Sequence, residues 1–293
     1  MNIAFCVNRL ALVGLGVTLT SVIRNCSNSN HLEIYILFTG LTGSDKKNIL
    51  DLLDNESFKG RHHFIEFDAI AEFGHLRSLH GDWTAYGRIL LSDLVAEDTI
   101  LYLDADLVIE LDVLTLERFD LKDAALAAVS GSTLKYALDH TFLHGILNIP
   151  LETNYFNSGI LLLNLAAWRS RNIKKQLFDI AEKYPNDLIS HDQTLLNALL
   201  GREFEKLPKS FNCPWYADIT RPEISDHMIL HYLGSPKPWD IGGSILHNGY
   251  KTWIKYMDKG WADIYYKVGI KEISRAWQIR KSYLRVIKKK MIK

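Results

Sequence analysis

The sequence predicts an α/β protein with a mainly parallel central sheet flanked by helices, and three observations carry that expectation. Short, continuous apolar runs of strand length alternate with helical patterns along most of the chain, as strands covered on both faces require. The 293 residues are 47% hydrophobic and 23% charged, a globular composition with enough chain for one large domain or two small ones. One apolar run ends directly in two acidic residues, at the strand end where open sheets of this class bind ligands.

Residues 3–7 form the first strand-like run. Residues 10–19, after Arg9, are mostly apolar but interrupted by Gly14 and Gly16. This stretch is too short to cross a bilayer, which needs about 20 residues. No small-x-small cleavage site follows it cleanly, so it reads as a turn and a buried helix reaching about Asn25. Residues 32–38 and 63–67 are further strands, separated by a helix from about Ser44, with Asp45 beside it, to Asn55. A helix over about 84–94 leads into the strand 99–103. Beyond it, 124–129 and 159–165 read as strands, 191–200 as a short helix, and 228–232 as a last strand ending in a Gly and Pro loop. No repeat or low-complexity stretch interrupts this order.

Lysine plus arginine (34) cancel aspartate plus glutamate (34), so overall charge gives no case for a nucleic-acid partner. The distribution says more. Residues 267–293 carry ten basic residues against one acid, Glu272, which leaves 24 basic and 33 acidic residues in 1–266. Within that tail Ile270, Ile273, Trp277, Leu284 and Ile287 sit at spacings compatible with one apolar helical stripe. A helix of that kind suits an anionic membrane surface, and it equally suits docking on the body or a solvated tail. Cys6, Cys26 and Cys213 form an odd set without close metal spacing, which fits reduced thiols in a cytosolic protein.

Four motifs can carry chemistry. The run Leu101-Tyr102-Leu103-Asp104-Ala105-Asp106 delivers two carboxylates two residues apart, on one side of extended chain, where both reach a single divalent cation. In His231-Tyr232-Leu233-Gly234-Ser235-Pro236-Lys237, an imidazole at a strand end is followed six residues later by an ammonium that can meet phosphate. Imidazole with two carboxylates favours manganese over calcium. Tyr155-Phe156-Asn157-Ser158-Gly159 places an amide at a strand entrance where a sugar hydroxyl can be read, and ordinary turn chemistry explains it as well. In His191-Asp192-Gln193, Asp192 is a reactive carboxylate or a helix cap. Arg88 falls on a predicted helix, as a site residue or a surface charge. Gly14-Leu15-Gly16 has Leu19 where the dinucleotide fingerprint needs its third glycine, and neither a P-loop nor a G-x-S-x-G nucleophile elbow is present.

Taken in order, LYLDADLVI, YFNSGILLLNLAAWR, HDQTLLN and HYLGSPKPW resemble the motif series of glycosyltransferase family 8, from the first strand to about Trp239. The resemblance implies a retaining enzyme with the GT-A nucleotide-diphosphosugar fold, close in flavour to bacterial lipopolysaccharide α-galactosyl- and α-glucosyltransferases. It implies a hexose, galactose or glucose, moved from a UDP-sugar to a hydroxyl of a glycan acceptor. Carried over to this sequence, it makes Asp104, Asp106 and His231 the ligands of Mn2+, with Mg2+ as a substitute. It puts Ala105 beside the ribose, Asn8 at the base, and Gly234 and Lys237 on the diphosphate loop. Arg88, Asn157 and Ser158 fall at the sugar, and Asp192 and Gln193 at the reacting centre.

The same resemblance implies a catalytic domain over 1–245, its donor half about 1–110 and its acceptor half about 111–245, followed by the helical basic segment 246–293. A cytoplasmic enzyme working peripherally on the cytoplasmic face of a membrane, on a lipid-linked acceptor, is the implied setting. Two places depart from the family pattern. Asn8-Arg9-Leu10-Ala11 lacks the acidic and aromatic residues that commonly hold uridine, and Ser130-Gly131-Ser132-Thr133 offers hydroxyls where relatives often have a carboxylate. These departures keep a catalytically degenerate sugar-nucleotide-binding or scaffold protein as one alternative. A metal-dependent nucleotidyltransferase or phosphodiesterase is the other.

Overall fold

The first hundred residues build a parallel sheet through repeated crossovers. The computed structural model describes residues 1–292; Lys293, the last residue of the basic tail, lies outside the described residues. In order, β1 (Asn2–Val7), α1 (Leu12–Asn25), β2 (Glu33–Phe38), α2 (Gly43–Asn55), β3 (Arg61–Glu66), α3 (Ala69–Phe73), α4 (Leu91–Leu94) and β4 (Thr99–Leu103) alternate as the apolar pattern predicts. Thr42 and Asp45 close a reciprocal capping box at the start of α2. The helix expected over about 84–94 is instead a 3-10 helix, Thr84–Leu90, passing into α4. Tyr86, Gly87, Arg88 and Ile89 are all buried there, so this segment has no amphipathic face to favour a regular α-helix.

The second part of the chain completes the sheet and adds a smaller one. It contributes β5 (Leu107–Ile109), β6 (Leu126–Thr133), α5 (His140–Gly145), β7 (Asn154–Asn164), α6 (Leu165–Ser170), α7 (Ile173–Lys183), α8 (Asp192–Leu200), β8 (Glu205–Lys206), β9 (Cys213–Trp215) and β10 (Ile229–Tyr232). Among the described residues the strands form a seven-stranded sheet, β3-β2-β1-β4-β7-β6-β8, and a three-stranded sheet, β5-β10-β9. In the large sheet only β7 runs against its neighbours, β4 and β6.

Both faces of the large sheet are covered, and the strands show it by strict alternation. In β4, Ile100 and Tyr102 enter one core cluster while Leu101 and Leu103 enter the other; in β7, Leu161 and Leu163 oppose Ile160 and Leu162 in the same way. All eight side chains are at most 1% exposed, which is why these runs read as unbroken hydrophobic stretches.

The small sheet needs more than apolar burial, because β5 is only three residues long. Its free edge is closed by polar residues of the otherwise apolar α1. Thr18 Oγ1 donates to the Leu107 carbonyl (2.9 Å) and accepts from the Leu107 N–H (3.1 Å). Ser21 Oγ accepts from the Ile109 N–H (3.0 Å), and Asn25 Nδ2 donates to the Ile109 carbonyl (2.9 Å). Buried backbone groups must find partners, and α1 supplies them. Gly14 of the same helix permits the Ala105 carbonyl to approach so closely that a Cβ there would lie 2.3 Å from it. The glycines of this segment therefore serve packing, consistent with the absence of a dinucleotide fingerprint.

The chain ends in α9 (Gly243–Leu246), α10 (Tyr250–Ile254), α11 (Lys259–Tyr265), α12 (Ile270–Gln278) and α13 (Arg280–Ile292). Trp253 and Trp261 are 1% and 3% exposed, so the packed body runs through the boundary placed at 245 and includes α10 and α11. The basic helices α12 and α13 rest on that body by polar contacts. Arg275 pairs with Asp240, Lys289 with Asp218 (2.8 Å), Tyr283 Oη donates to the Ile241 carbonyl (2.7 Å), and Val286 is buried. Their apolar stripe points away: Ile270, Trp277 and Leu284 are 87%, 70% and 67% exposed. Among the described residues no helix is long and apolar enough to cross a membrane.

Candidate active site

The turn Asp104-Ala105-Asp106 is where the chain leaves one sheet and enters the other. Asp104 follows β4 and Asp106 precedes β5, while β10 pairs with β5 so that His231 lies opposite Leu107. Two sheets, not one extended strand, thus bring the carboxylates and the imidazole together. Their ligand atoms all lie within 4.8 Å of one another.

Each ligand is oriented from behind. Asp104 Oδ1 accepts from Tyr102 Oη (2.9 Å) and Arg88 Nη2 (3.0 Å), which leaves Oδ2 toward the cluster. His231 Nδ1 is 3.0 Å from Asn212 Oδ1, an acceptor only, so Nδ1 donates there, and Nε2 faces Asp106 Oδ1 at 3.1 Å. That oxygen is buried and has no hydrogen-bond partner. Two carboxylate oxygens and an imidazole lone pair pointed at one space are a donor set for a divalent cation. Gly159 lines this space at the closest range: a Cβ there would stand 2.4 Å from the His231 ring and 2.6 Å from Asp104 Oδ2.

Lys237 stands at the edge of the cluster, its Nζ 2.6 Å from Asp106 Oδ2 and donating also to the Tyr232 carbonyl. Burial alone would raise the Asp106 pKa, but the Lys237 ammonium beside it outweighs that and holds the carboxyl below the usual range. Gly234 lies on the same loop with a left-handed φ of +71°. Asp240 accepts the Lys237 N–H (2.6 Å) while pairing with Arg275 of α12, so the tail reaches the loop that carries the ammonium.

Arg88 is buried in the wall, not on the surface. Its guanidinium lies 4.0 Å from the Tyr102 ring centre, donates to the Ser158 carbonyl and to Asp104, and faces Asp192 Oδ2 at 3.2 Å. Burial opposes its charge, yet Asp192, Tyr102 and Asp104 keep it protonated. Asp192 also accepts from Ser158 Oγ (3.0 Å), and it caps no helix: the N-cap position of α8 is His191, with φ +57° and ψ −125°. A non-glycine residue in that region is strained, and the strain sits directly before Asp192 and Gln193. Burial, with Asp104 nearby, raises the Asp192 carboxyl to about 6 against the pull of Arg88.

Asn157 and Ser158 lie inside β7, which begins three residues earlier than Asn157. Gln193 Oε1 accepts from Asn157 Nδ2 and from the Ser158 N–H, both at 3.0 Å. Asn8 stands apart from this cluster. Its Oδ1 caps the turn at Leu10 and Ala11, and its Nδ2 donates to Asp82 (2.8 Å) and Thr84 (3.3 Å), so the structure engages each of its polar atoms. Asn212, Tyr102, Tyr155 and Gly159 complete the surroundings without having been singled out as site residues. A lone amide in the apolar run Phe211-Asn212-Cys213 was the available signal for Asn212.

A sequence profile of glycosyl transferase family 8 matches residues 2–241. The chain belongs to glycosyl transferase family 8. It is 25% identical over 258 residues to general stress protein A of Bacillus subtilis (strain 168), covering 82% of this chain and 87% of that protein. It is also 25% identical over 259 residues to the lipopolysaccharide 1,3-galactosyltransferase of Salmonella typhimurium (strain LT2), covering 83% and 74%. Of the streptococcal glycosyltransferases GlyA and GlyE it spans only 25% and 52% of the length. Superposition on the galactosyltransferase LgtC, solved with donor and acceptor sugar analogues, gives a TM-score of 0.76 at 22% identity, covering 90% of this chain and 99% of that one. The fold is therefore GT-A, and the family 8 chain is a glycosyltransferase.

Proposed function

We propose that this family 8 enzyme moves a hexose, galactose or glucose, from a UDP-sugar to a glycan hydroxyl with retention of configuration, in lipopolysaccharide or other cell-surface polysaccharide synthesis. The observation that carries the reading is the cluster of Asp104, Asp106 and His231 with Lys237 at its edge. The donor set suits Mn2+, with Mg2+ as a substitute; bound there, the cation supplies Lewis-acid stabilisation of a departing diphosphate. The Salmonella relative's name supports a lipopolysaccharide acceptor.

The chain's own residues define the rest. Lys237 meets the diphosphate as a point charge in a partly water-excluded site, where it counters the negative charge that develops as the sugar leaves. Asn157 and Ser158 border the sugar from β7, Arg88 holds the carboxylates Asp104 and Asp192 in place, and Gly234 and Ala105 offer backbone to phosphate and ribose. Asn8 belongs at the base end of the donor site. The Gln193 carbonyl already accepts two hydrogen bonds, which makes it a poor nucleophile and suits it to electrostatic support of an oxocarbenium-like centre. The reading is thus same-face entry of the acceptor hydroxyl, with a diphosphate oxygen as base and Asp192 close by.

This assignment places a catalytic domain over 1–245, donor half about 1–110 and acceptor half about 111–245, followed by the helical basic segment 246–293, of which α12 and α13 are the membrane-facing part. The outward stripe of Ile270, Trp277 and Leu284 among basic residues supports attachment to an anionic surface on the cytoplasmic face, next to a lipid-linked acceptor. Release of UDP from UDP-galactose or UDP-glucose tests the function. It should require both metal and a glycan acceptor, and should vanish when Asp104 and Asp106 are both changed to Asn. Activity that survives the double change overturns the proposal, and pyrophosphate or a nucleoside monophosphate as product would assign nucleotidyl or phosphodiester chemistry instead.

A further inference from the structure

We propose that Asn212 is a positioning residue that fixes the tautomer of His231, its amide being oriented by a relay of side chains running from Asp139 through Tyr155, Gln193 and Asn157. The proposal rests on the metal-site reading above for its purpose, while the hydrogen bonds that carry it do not depend on a metal.

The direction of every bond in the relay follows from its far end. Asp139 is fully buried, and both its oxygens accept: Oδ1 from the Ser190 N–H (3.1 Å) and Oγ (3.0 Å), Oδ2 from Tyr155 Oη. Burial and then Asp139 push the Tyr155 pKa upward, so the phenol keeps its proton and spends it on Asp139. Tyr155 Oη is then left as an acceptor, which selects Gln193 Nε2 as its partner at 2.9 Å. Gln193 must consequently turn its carbonyl the other way, toward Asn157 Nδ2 and the Ser158 N–H.

The same logic passes through the next two amides. With Nδ2 committed to Gln193, Asn157 presents Oδ1 to the Gly159 N–H (3.0 Å) and to Asn212 Nδ2 (3.1 Å). Asn212 is thereby left with Oδ1 toward His231 Nδ1. An oxygen in that place can only accept, so the imidazole carries its proton on Nδ1 and directs the Nε2 lone pair at Asp104 and Asp106. Backbone N–H groups hold the carbonyls of Gln193 and Asn157 independently, whereas the Asn212 side chain is held by Asn157 and His231. It is the amide of the relay with the least backbone support, and its flip would hand His231 a donor and drive the proton onto Nε2.

Ligating histidines generally donate their second nitrogen to a group that orients them, and loss of that group weakens metal binding by about 10- to 100-fold. The test uses the full chain with 15N-labelled histidine, free of metal and at mildly alkaline pH; the His231 resonances are assigned by their loss in His231→Gln. The wild type is expected to show the proton on Nδ1. Asn212→Ala should redistribute it toward Nε2 and weaken Mn2+ binding, read by calorimetry, about 10- to 100-fold. Asn212→Asp, which restores an acceptor, should return the proton to Nδ1.

A wild-type His231 protonated on Nε2 overturns the proposal by itself, even if Asn212→Ala fails to fold. A folded Asn212→Ala chain with unchanged tautomer and unchanged Mn2+ affinity overturns it equally. A wild-type chain with the proton on Nδ1, shifted in Asn212→Ala, that binds no Mn2+ upholds the assignment of Asn212 and rejects the metal reading.

Discussion

Arg88 and Arg275 each hold a buried aspartate, and they do so in opposite surroundings. The Arg88 and Asp192 side chains are 3% and 6% exposed, and the guanidinium is further committed to Asp104, the Ser158 carbonyl and the Tyr102 ring. Asp240 is buried like Asp192, but Arg275 is 41% exposed and reaches it from the solvent side of α12. Water can replace the second guanidinium and cannot replace the first. The site wall is therefore an insulated, mutually dependent set of charges, while the tail is a clip that water can substitute.

The largest effect should come from Arg88→Met. It leaves Asp104 and Asp192 without their buried partner and should cost about 3 to 5 kcal/mol in urea unfolding. A loss near that of an exposed pair would erase the contrast between the two arginines.

Acidity sharpens it next. Asp192 is raised from an ordinary 3.8 to about 6 in the folded chain, so the folded state binds its proton more tightly than the unfolded state does. The associated stability is fully present below about pH 4 and is lost as pH rises through 6. Unfolding midpoints of Asp192→Asn relative to wild type should therefore climb between about pH 4 and pH 7, by up to about 3 kcal/mol in stability. A flat difference would mean that Arg88 fully compensates the carboxylate.

A smaller effect is expected at the clip. Arg275→Ala should cost only about 1 kcal/mol, since its partner gains water. Because Asp240 also holds the Lys237 N–H, the change should raise KM for the sugar nucleotide more than it lowers kcat. Smallest in stability is the outward stripe: Trp277→Glu with Leu284→Glu should leave unfolding within about 0.5 kcal/mol of wild type. Sedimentation with anionic vesicles should nonetheless fall sharply, and unchanged co-sedimentation would discard the membrane-facing role.

What the sequence discloses follows the same division between local and assembled features. β1, β2, β4 and the core of β7 are legible because strands buried on both faces must be continuously apolar, and Asp104 and Asp106 stand out because they end such a run. β5 and β9, three residues each, give no periodic signal; β5 exists because α1 carries Thr18, Ser21 and Asn25 where its edge needs partners. Arg88 reads equally as surface or site until Asp104 and Asp192 close around it. The tail's amphipathic pattern is visible, but which face docks is decided by single polar residues, Arg275, Tyr283 and Lys289, that no stripe reveals.

The central claim is that Asp104, Asp106 and His231 form a metal-assisted sugar-nucleotide site, and calorimetry tests it most directly. UDP-galactose and UDP-glucose would be titrated into the purified chain with and without Mn2+, and into Asp104→Asn/Asp106→Asn. The account predicts binding of a UDP-sugar that requires Mn2+ and is lost in the double variant. Equal affinity with and without the metal, or undiminished binding by the double variant, would contradict it.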